Sequence, residues 1–302
     1  MHKKTNSRTA GILLPLSSIS SPYGIGSMGK QAYKFIDFLT KSGQKCWQLL
    51  PLGPTSYGDS PYQSFSAFAG NPYFIDLDTL ITEKLITKKF VSSFNWGSKP
   101  EYCDYEKIYI SRFIVLKKAF EKFIKAENKA YEKFKKKNRF WLEDYTLYMA
   151  VKNHFENKSW LEWDEDIRLH REAAVKHYKK LLSAELEFWA FLQFKFYEQW
   201  KKLKAYANEN GIRIIGDIPI YVATDSADVW ANHEQYLLDE NHKPTLVAGC
   251  PPDYFSESGQ LWGNAIYDWS FMKKDGFSWW KSRISFSASL YDTIRIDHFI
   301  GI

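Results

Sequence analysis

The 302-residue sequence has few cysteines and no long apolar segment. Its three cysteines, Cys46, Cys103 and Cys250, are scattered, odd in number and without CxxC spacing, so neither a disulfide framework nor a zinc site is expected. No apolar run approaches the length that crosses a bilayer, and the run at 11–16 is too short for the core of a signal peptide. These absences predict a cytoplasmic protein with no membrane partner and no metal.

The sequence also lacks the marks of nucleic-acid and dinucleotide binding. The net charge of +6 comes mainly from lysines spread along the chain. The densest basic segment, 133–139, is followed by Trp141, Leu142 and Tyr145, which favours the solvated face of a helix over a nucleic-acid surface. No Gly-x-Gly-x-x-Gly follows the first predicted strand, where a dinucleotide would need it. We therefore expect no nucleic-acid partner and no cofactor.

Aromatic residues, in contrast, are abundant at 18% of the chain, with 12 Trp, 19 Tyr and 22 Phe. Such rings can thicken a core, or they can line a groove for the flat apolar faces of sugars. Composition favours the core for most of them and leaves a sugar groove open for some.

Four short apolar runs predict strands buried on both faces, at 11–16, 47–52, 212–220 and 293–297. Helical spacing between the first two runs, ended by Gly43, completes a strand–helix–strand unit, which implies a parallel sheet and an α/β fold. Two architectures are open, a doubly wound sheet and half of a (β/α)8 TIM-type barrel. Long loops after the strands, with carboxylates near the strand ends, favour the barrel.

Two long segments interrupt the strand pattern. Residues 77–210 predict a mostly helical insertion, in which apolar positions from Leu186 to Trp200 recur four and three apart on one helix face. Residues 231–270, rich in proline, glycine and aromatics, predict a loop that covers the substrate. Since no linker is visible, the chain from 1 to 302 is expected to be one domain.

The ends of the third and fourth predicted strands carry carboxylates. Asp217 lies in the third strand, and Asp297 closes the fourth, two residues after Arg295. Because alternate residues of a strand share a face, Arg295 is expected beside Asp297 and would keep it ionised, as a carboxylate nucleophile requires. A purely structural Arg–Asp pair at the end of a barrel is an equally open interpretation. His298 is expected to position substrate or to be structural.

Two loops carry the mixture of rings and polar groups that sugar recognition uses. The loop at 53–72 contains Tyr57, Asp59 and Ser60, and the segment 249–264 carries a second set. The residues of that second set are Asp253, Tyr254, Phe255, Trp262 and Asn264. A self-packed loop or lid remains the alternative for each segment.

Four segments together resemble one enzyme family. They are YGDSPYQSFSAFAGNP (57–72), GDIPIYVATDSADVW (216–230), PPDYFSESGQLWGN (251–264) and RIDHF (295–299). They look like the signature segments of the 4-α-glucanotransferases, glycoside hydrolase family seventy-seven, in the family's order and spacing. The resemblance extends over nearly the whole chain and implies an interrupted (β/α)8 barrel that transfers α-1,4-glucan segments, such as maltooligosaccharides, by a retaining mechanism.

The resemblance also implies roles for individual residues. Asp297 falls on the family's nucleophile, Arg295 on its partnering arginine, and Asp217 on a substrate-binding acid. Substrate contacts are likewise implied for the two loops, namely Tyr57, Asp59, Ser60, Asp253, Tyr254, Phe255, Trp262 and Asn264, and for His298.

The sequence departs from the family after residue 299, where the family continues with Arg-Gly and this chain reads Ile300-Gly301-Ile302. In the family's plan only strands one to four are present here, and the acid/base glutamate and a third, transition-state-stabilising aspartate come later. We therefore expect little or no turnover from this chain alone. A glucan-binding protein without catalysis is the alternative.

Overall fold

The computed structural model describes residues 8–56, 58–97, 99, 101–254 and 256–298. A four-stranded parallel sheet lies at the centre, in the order β1-β2-β3-β6, and a separate antiparallel pair joins β4 to β5. The strands are β1 (Gly11–Leu13), β2 (Cys46–Gln48), β3 (Arg213–Ile218), β4 (Val247–Cys250), β5 (Gln260–Ala265) and β6 (Thr293–Ile296). The four predicted strands are thus confirmed, each with shorter bounds than its apolar run.

Twelve helices occupy the described part of the chain. They are α1 (Lys30–Lys41), α2 (Leu77–Thr82), α3 (Lys88–Val91), α4 (Tyr105–Phe123), α5 (Lys129–Lys137), α6 (Arg139–His154), α7 (Glu165–Arg168), α8 (Glu172–Leu181), α9 (Ser183–Glu209), α10 (Ala227–Ala231), α11 (Trp269–Lys274) and α12 (Ser278–Leu290). Gly43 and Gly211 follow α1 and α9 with φ of +74° and +75°, the left-handed conformation that ends a helix at little cost for glycine. None of the described helices is long and apolar enough to traverse a bilayer.

The sheet is less buried at its edges than the sequence predicted. Strands β2 and β3 lie in the middle and are largely buried, whereas β1 and β6 alternate between exposed and half-buried residues. Leu13, in β1, is 53% exposed. The prediction of strands buried on both faces is therefore wrong for β1 and β6. The physical reason is their position, because each has a neighbouring strand on one side only among the described residues.

Helix α9 holds the core together and anchors the loop that follows β2. Residues 188–196 are buried on every side, so the prediction of one buried face was too narrow for the middle of this helix. The amide of Gln193 binds both backbone groups of Gly70, with distances of 2.7 and 2.9 Å. Gln199 binds the backbone of Asp76 in the same manner, at 2.7 and 3.2 Å. These buried amides fix the position of the loop on α9, since each satisfies one backbone N–H and one backbone C=O that water cannot reach.

The segment predicted as a loop at 231–270 contains regular structure. Strands β4 and β5 form an antiparallel hairpin whose connection runs through residues 251–259. The sequence hides this hairpin because Pro251 and Pro252 follow β4 directly and the register shifts between Val247 and Gly249. A proline-rich tip and a bulge are both compatible with a short hairpin, although each weakens the alternating pattern that predicts one.

Candidate active site

An arginine joins two carboxylates where β3 and β6 end. The parallel register places Asp217 opposite Arg295. Arg295 Nη1 donates to Asp217 Oδ1 at 2.7 Å, and Nη2 donates to Oδ1 of Asp297. The prediction that Arg295 and Asp297 share a face is confirmed by this contact. Its second contact, with Asp217, could not be foreseen because it depends on the register of two strands 78 residues apart.

The two carboxylates differ in burial and in how fully they are bonded. The Asp217 side chain has no exposed surface, and both of its oxygens accept hydrogen bonds, Oδ1 from Arg295 and Oδ2 from Tyr62 at 2.7 Å. Asp297 is 36% exposed in its side chain and lines an open cleft. Asp217 is therefore a buried clamp for the arginine, whereas Asp297 is the carboxylate that a ligand can reach.

Tyr62 completes the clamp as a hydrogen-bond donor. Burial raises the pKa of its hydroxyl well above the usual range, and the hydrogen bond to Asp217 raises it further. The hydrogen bond from Arg295 to Asp217 likewise raises the pKa of the guanidinium. Both groups thus keep their protons at any physiological pH, which fixes Tyr62 and Arg295 as donors and Asp217 as acceptor.

The cleft beside Asp297 is lined from three neighbouring segments, the loop after β2, the residues that follow β3, and the hairpin strand β5. Ser60, Trp262, Asn264 and His298, all predicted from the sequence, line it together with Asp297. The His298 and Trp262 rings meet edge to face with centroids 4.8 Å apart. His298 has a φ of +48°, in the left-handed region that non-glycine residues adopt uncommonly.

Gln63 is a residue of the cleft that sequence reasoning missed. Its amide exchanges two hydrogen bonds with the Asn264 amide, at 3.2 and 3.3 Å, and donates to the Trp262 carbonyl at 3.2 Å. Asn264 in turn donates to the Val222 carbonyl at 2.9 Å and is buried. Gln63 thus ties the loop after β2 to the hairpin and holds Trp262 at the cleft. Its polar neighbours in sequence gave no signal, because its partners lie about 200 residues away.

Other predicted residues lie elsewhere. Asp253 and Tyr254 stand at the tip of the β4–β5 hairpin, where Tyr254 is 98% exposed, and neither lines the cleft beside Asp297. Asp59 lines a neighbouring cavity, and burial raises the pKa of its carboxyl. Substrate contacts of these three residues stay predictions. Tyr57 and Phe255 fall outside the described residues.

Within the described ranges, no group of three or more His, Cys, Asp or Glu side chains is arranged to hold a metal ion.

The sequence of this chain is similar to one family of known proteins. The sequence profile of the 4-alpha-glucanotransferases, glycoside hydrolase family 77, matches residues 14–302. The 4-alpha-glucanotransferase of Clostridium butyricum is 52% identical over 95% of this chain and 59% of its own length. That of Aquifex aeolicus is 47% identical over 97% of this chain and 60% of its own length.

Solved structures give the same result. The amylomaltase from Streptococcus agalactiae, in complex with acarbose, superposes with a TM-score of 0.95 at 44% identity, over 98% of this chain and 60% of that one. The amylomaltase from Corynebacterium glutamicum, at 17% identity and a TM-score of 0.74, shares the fold. The chain spans about three fifths of the length of the relatives it matches. By profile, sequence and fold alike, the chain belongs to the 4-alpha-glucanotransferase family.

Proposed function

We propose that the cleft beside Asp297 is the nucleophile side of a retaining 4-α-glucanotransferase site. The observation that carries the proposal is that Arg295 contacts both Asp217 and Asp297. Asp217 is buried with both oxygens hydrogen-bonded, whereas Asp297 is accessible. The Arg295 guanidinium holds one oxygen of Asp297 in place and leaves the carboxylate accessible, as a carboxylate nucleophile requires. The purely structural interpretation of the Arg–Asp pair explains Asp217 but gives no reason for Asp297 to face an open cleft.

The reaction follows from this geometry. An oxygen of Asp297 attacks the anomeric carbon of an α-1,4-glucan and forms a glycosyl ester, while the bond from that carbon to the departing glucan oxygen breaks. The departing oxygen takes a proton from an acid, about 5 Å from the nucleophile in retaining enzymes. The 4-hydroxyl of an acceptor glucan then attacks the same anomeric carbon from the face that the departing glucan left and gives its proton to the same acid group. The bond from that carbon to Asp297 breaks, which regenerates the carboxylate.

The proton donor of a retaining enzyme is canonically a second carboxyl group. Asp297 is the single carboxylate among the described residues that line the cleft, and Asp217 is buried with both oxygens occupied. General acid catalysis typically contributes about 10²–10⁴-fold. The described residues alone are therefore expected to bind glucans with little turnover, which is also the outcome that a glucan-binding protein without catalysis would give.

The same proposal covers the architecture and the substrate. Four parallel strands in sequential order, without the reversal of a doubly wound sheet, match half of a (β/α)8 barrel with its site at the carboxyl ends. Residues 77–210 would then be a helical insertion in that barrel, and residues 231–270 a cover over the substrate. The flat rings of Trp262 and His298 fit the apolar faces of maltooligosaccharides, and the related amylomaltase was solved with acarbose.

A chimera separates catalysis from binding. Residues 1–298 would be joined to the part of the Clostridium butyricum relative that follows its matched segment, and maltotriose disproportionation would be followed by chromatography. We expect glucose and longer maltooligosaccharides, with Asp297→Asn lowering the rate more than about 10³-fold while acarbose binding persists. Asp166→Asn, the same change at an exposed helix, is the matched control.

Two results would contradict the proposal. One is an Asp297→Asn chimera that transfers glucan as fast as the Asp166→Asn chimera. The other is a chimera that folds and binds acarbose but leaves maltotriose unchanged, which would favour the binding protein without catalysis.

A further inference from the structure

A second polar cavity, of about 220 Å³, lies among α6, α10 and α12. It shares no lining residue with the cleft beside Asp297. Four rings line it, together with two carboxylates, two amides and three hydroxyls. The rings are Phe68, Phe140, Trp141 and Trp279, and the polar residues are Asp144, Asp228, Gln235, Asn232, Ser66, Ser278 and Ser282.

The two carboxylates lack a partnered cation. Asp228 is buried, and its Oδ2 accepts a hydrogen bond from the Ala67 backbone at 2.7 Å. Arg283 is close enough to lower the pKa of Asp228, yet its guanidinium donates to the Pro219 and Ile220 carbonyls and to a tyrosine. Buried negative charge without a bonded cation is costly, so these groups favour a cation between them.

Asp144 shows the same lack of pairing. Lys179, the cation nearest in effect, forms its ion pair with Glu143 instead. Burial raises the pKa of Asp144, and burial together with the charge of Asp144 raises the pKa of Asp228 to about 6. Both carboxyls are thus held in surroundings that penalise their charge, which a bound cation would relieve.

Gln235 provides an independent sign of a ligand. Its side chain is only 6% exposed, and its Nε2 points to Asp275 Oδ2 at 3.5 Å, which fixes Oε1 as the atom left over. Within the described part of the chain, this buried Oε1 accepts no hydrogen bond. A buried acceptor without a donor destabilises a protein, so an N–H or O–H group is expected there.

We propose that this cavity binds a small organic cation with N–H donors, a primary ammonium. Such a head group offers three donors and one positive charge, which matches two carboxylates and one amide oxygen. The rings of Trp141, Trp279 and the two phenylalanines supply the aromatic wall that stabilises an alkyl ammonium. A neutral sugar brings as many acceptors as donors and leaves the carboxylate charges uncompensated, and a metal ion would gain nothing from the aromatic wall.

Calorimetric titration of the 302-residue protein with ethylammonium chloride tests this proposal, at pH 8 and constant ionic strength. We expect saturable binding, with tetramethylammonium and potassium, which have no N–H, at least about tenfold weaker. Asp144→Asn should weaken ethylammonium binding about tenfold or more. Glu121→Gln, the same loss of one negative charge at an exposed residue of α4, should change it less than about twofold.

A third variant guards against a simple folding defect. Gln235→Met keeps the length of the side chain and removes the acceptor, so it should weaken ethylammonium binding about threefold or more with an unchanged circular dichroism spectrum. The proposal is overturned if no binding occurs up to about 50 mM ethylammonium. It is also overturned by equal binding of tetramethylammonium or potassium, by equal effects of Asp144→Asn and Glu121→Gln, or by maltose competing with the amine.

Discussion

The ion pair between Arg295 and Asp217 positions the arginine beside Asp297. We therefore expect a measurable coupling energy between Arg295 and Asp217 in the stability of the folded protein. Replacing Arg295 by methionine removes the guanidinium and keeps much of the apolar volume. Asp217, with no exposed side-chain surface, would then keep Tyr62 as its remaining side-chain donor. A carboxylate left in this state is desolvated without a counter-charge, which destabilises the folded protein.

The size of the effect follows from the burial of each partner. Removing one partner of a fully buried pair costs about 3–5 kcal/mol, but the Arg295 side chain is 43% exposed, and water weakens the pair. We therefore expect Arg295→Met to lower the free energy of unfolding by about 2 kcal/mol. In an Asp217→Asn background the charge is already gone, so the same change should cost about 0.5 kcal/mol, and the coupling is about 1.5 kcal/mol.

Urea denaturation of the four proteins of this double-mutant cycle, followed by tryptophan fluorescence, measures the coupling. Arg139→Met is the control, since Arg139 pairs with Glu143 on the surface of α6 and should cost less than about 0.5 kcal/mol. A coupling between Arg295 and Asp217 that is no larger than the effect of the control would refute the inference that a buried acid holds the arginine in place.

Three further predictions concern other buried polar groups. Gln63→Ala removes the bonds to Asn264 and to the hairpin, so calorimetry should show acarbose affinity reduced about threefold to tenfold; unchanged affinity would deny Gln63 a positioning role. Burial raises the pKa of Asp228 from 3.8 to about 6, so ionisation of Asp228 destabilises the folded protein. Asp228→Asn should therefore gain up to about 3 kcal/mol over the wild type as pH rises from 4 to 7.5 in urea denaturation, and a flat difference would contradict it. Lys152 is buried beside Asp225 at 2.6 Å, so Asp225→Asn, which leaves the ammonium buried without a counter-charge, should lower the free energy of unfolding by about 2–3 kcal/mol; Lys152→Met should cost less because the carboxylate left behind is partly exposed, and equal losses would argue against a buried lysine charge.

Local sequence patterns predicted the elements on which the site stands. The apolar runs at 212–220 and 293–297 located β3 and β6, and the two-residue spacing of Arg295 and Asp297 predicted their contact. Periodicity succeeds here because central parallel strands are buried over consecutive residues and alternate residues share a face. The same patterns overestimated the burial of β1, because a sequence run does not show whether a strand has a neighbour on each side.

Contacts between distant segments were beyond reach of the sequence patterns. The pairing of Asp217 with Arg295 requires the register of two strands, and the Gln63–Asn264 amide pair joins residues about 200 positions apart. Neither contact follows from periodicity, composition or spacing. The β4–β5 hairpin was missed for a different reason, since two prolines and a bulge obscure its alternation.

Covalent trapping tests directly whether Asp297 is the nucleophile. The chimera that carries residues 1–298 would be treated with a 5-fluoro-α-glycosyl fluoride, which slows the breakdown of a glycosyl ester, and digested for mass spectrometry. We expect one fluoroglycosyl group on the peptide that contains Asp297, and no adduct after Asp297→Asn. An adduct on another carboxylate, or one that persists after Asp297→Asn, would contradict the assignment.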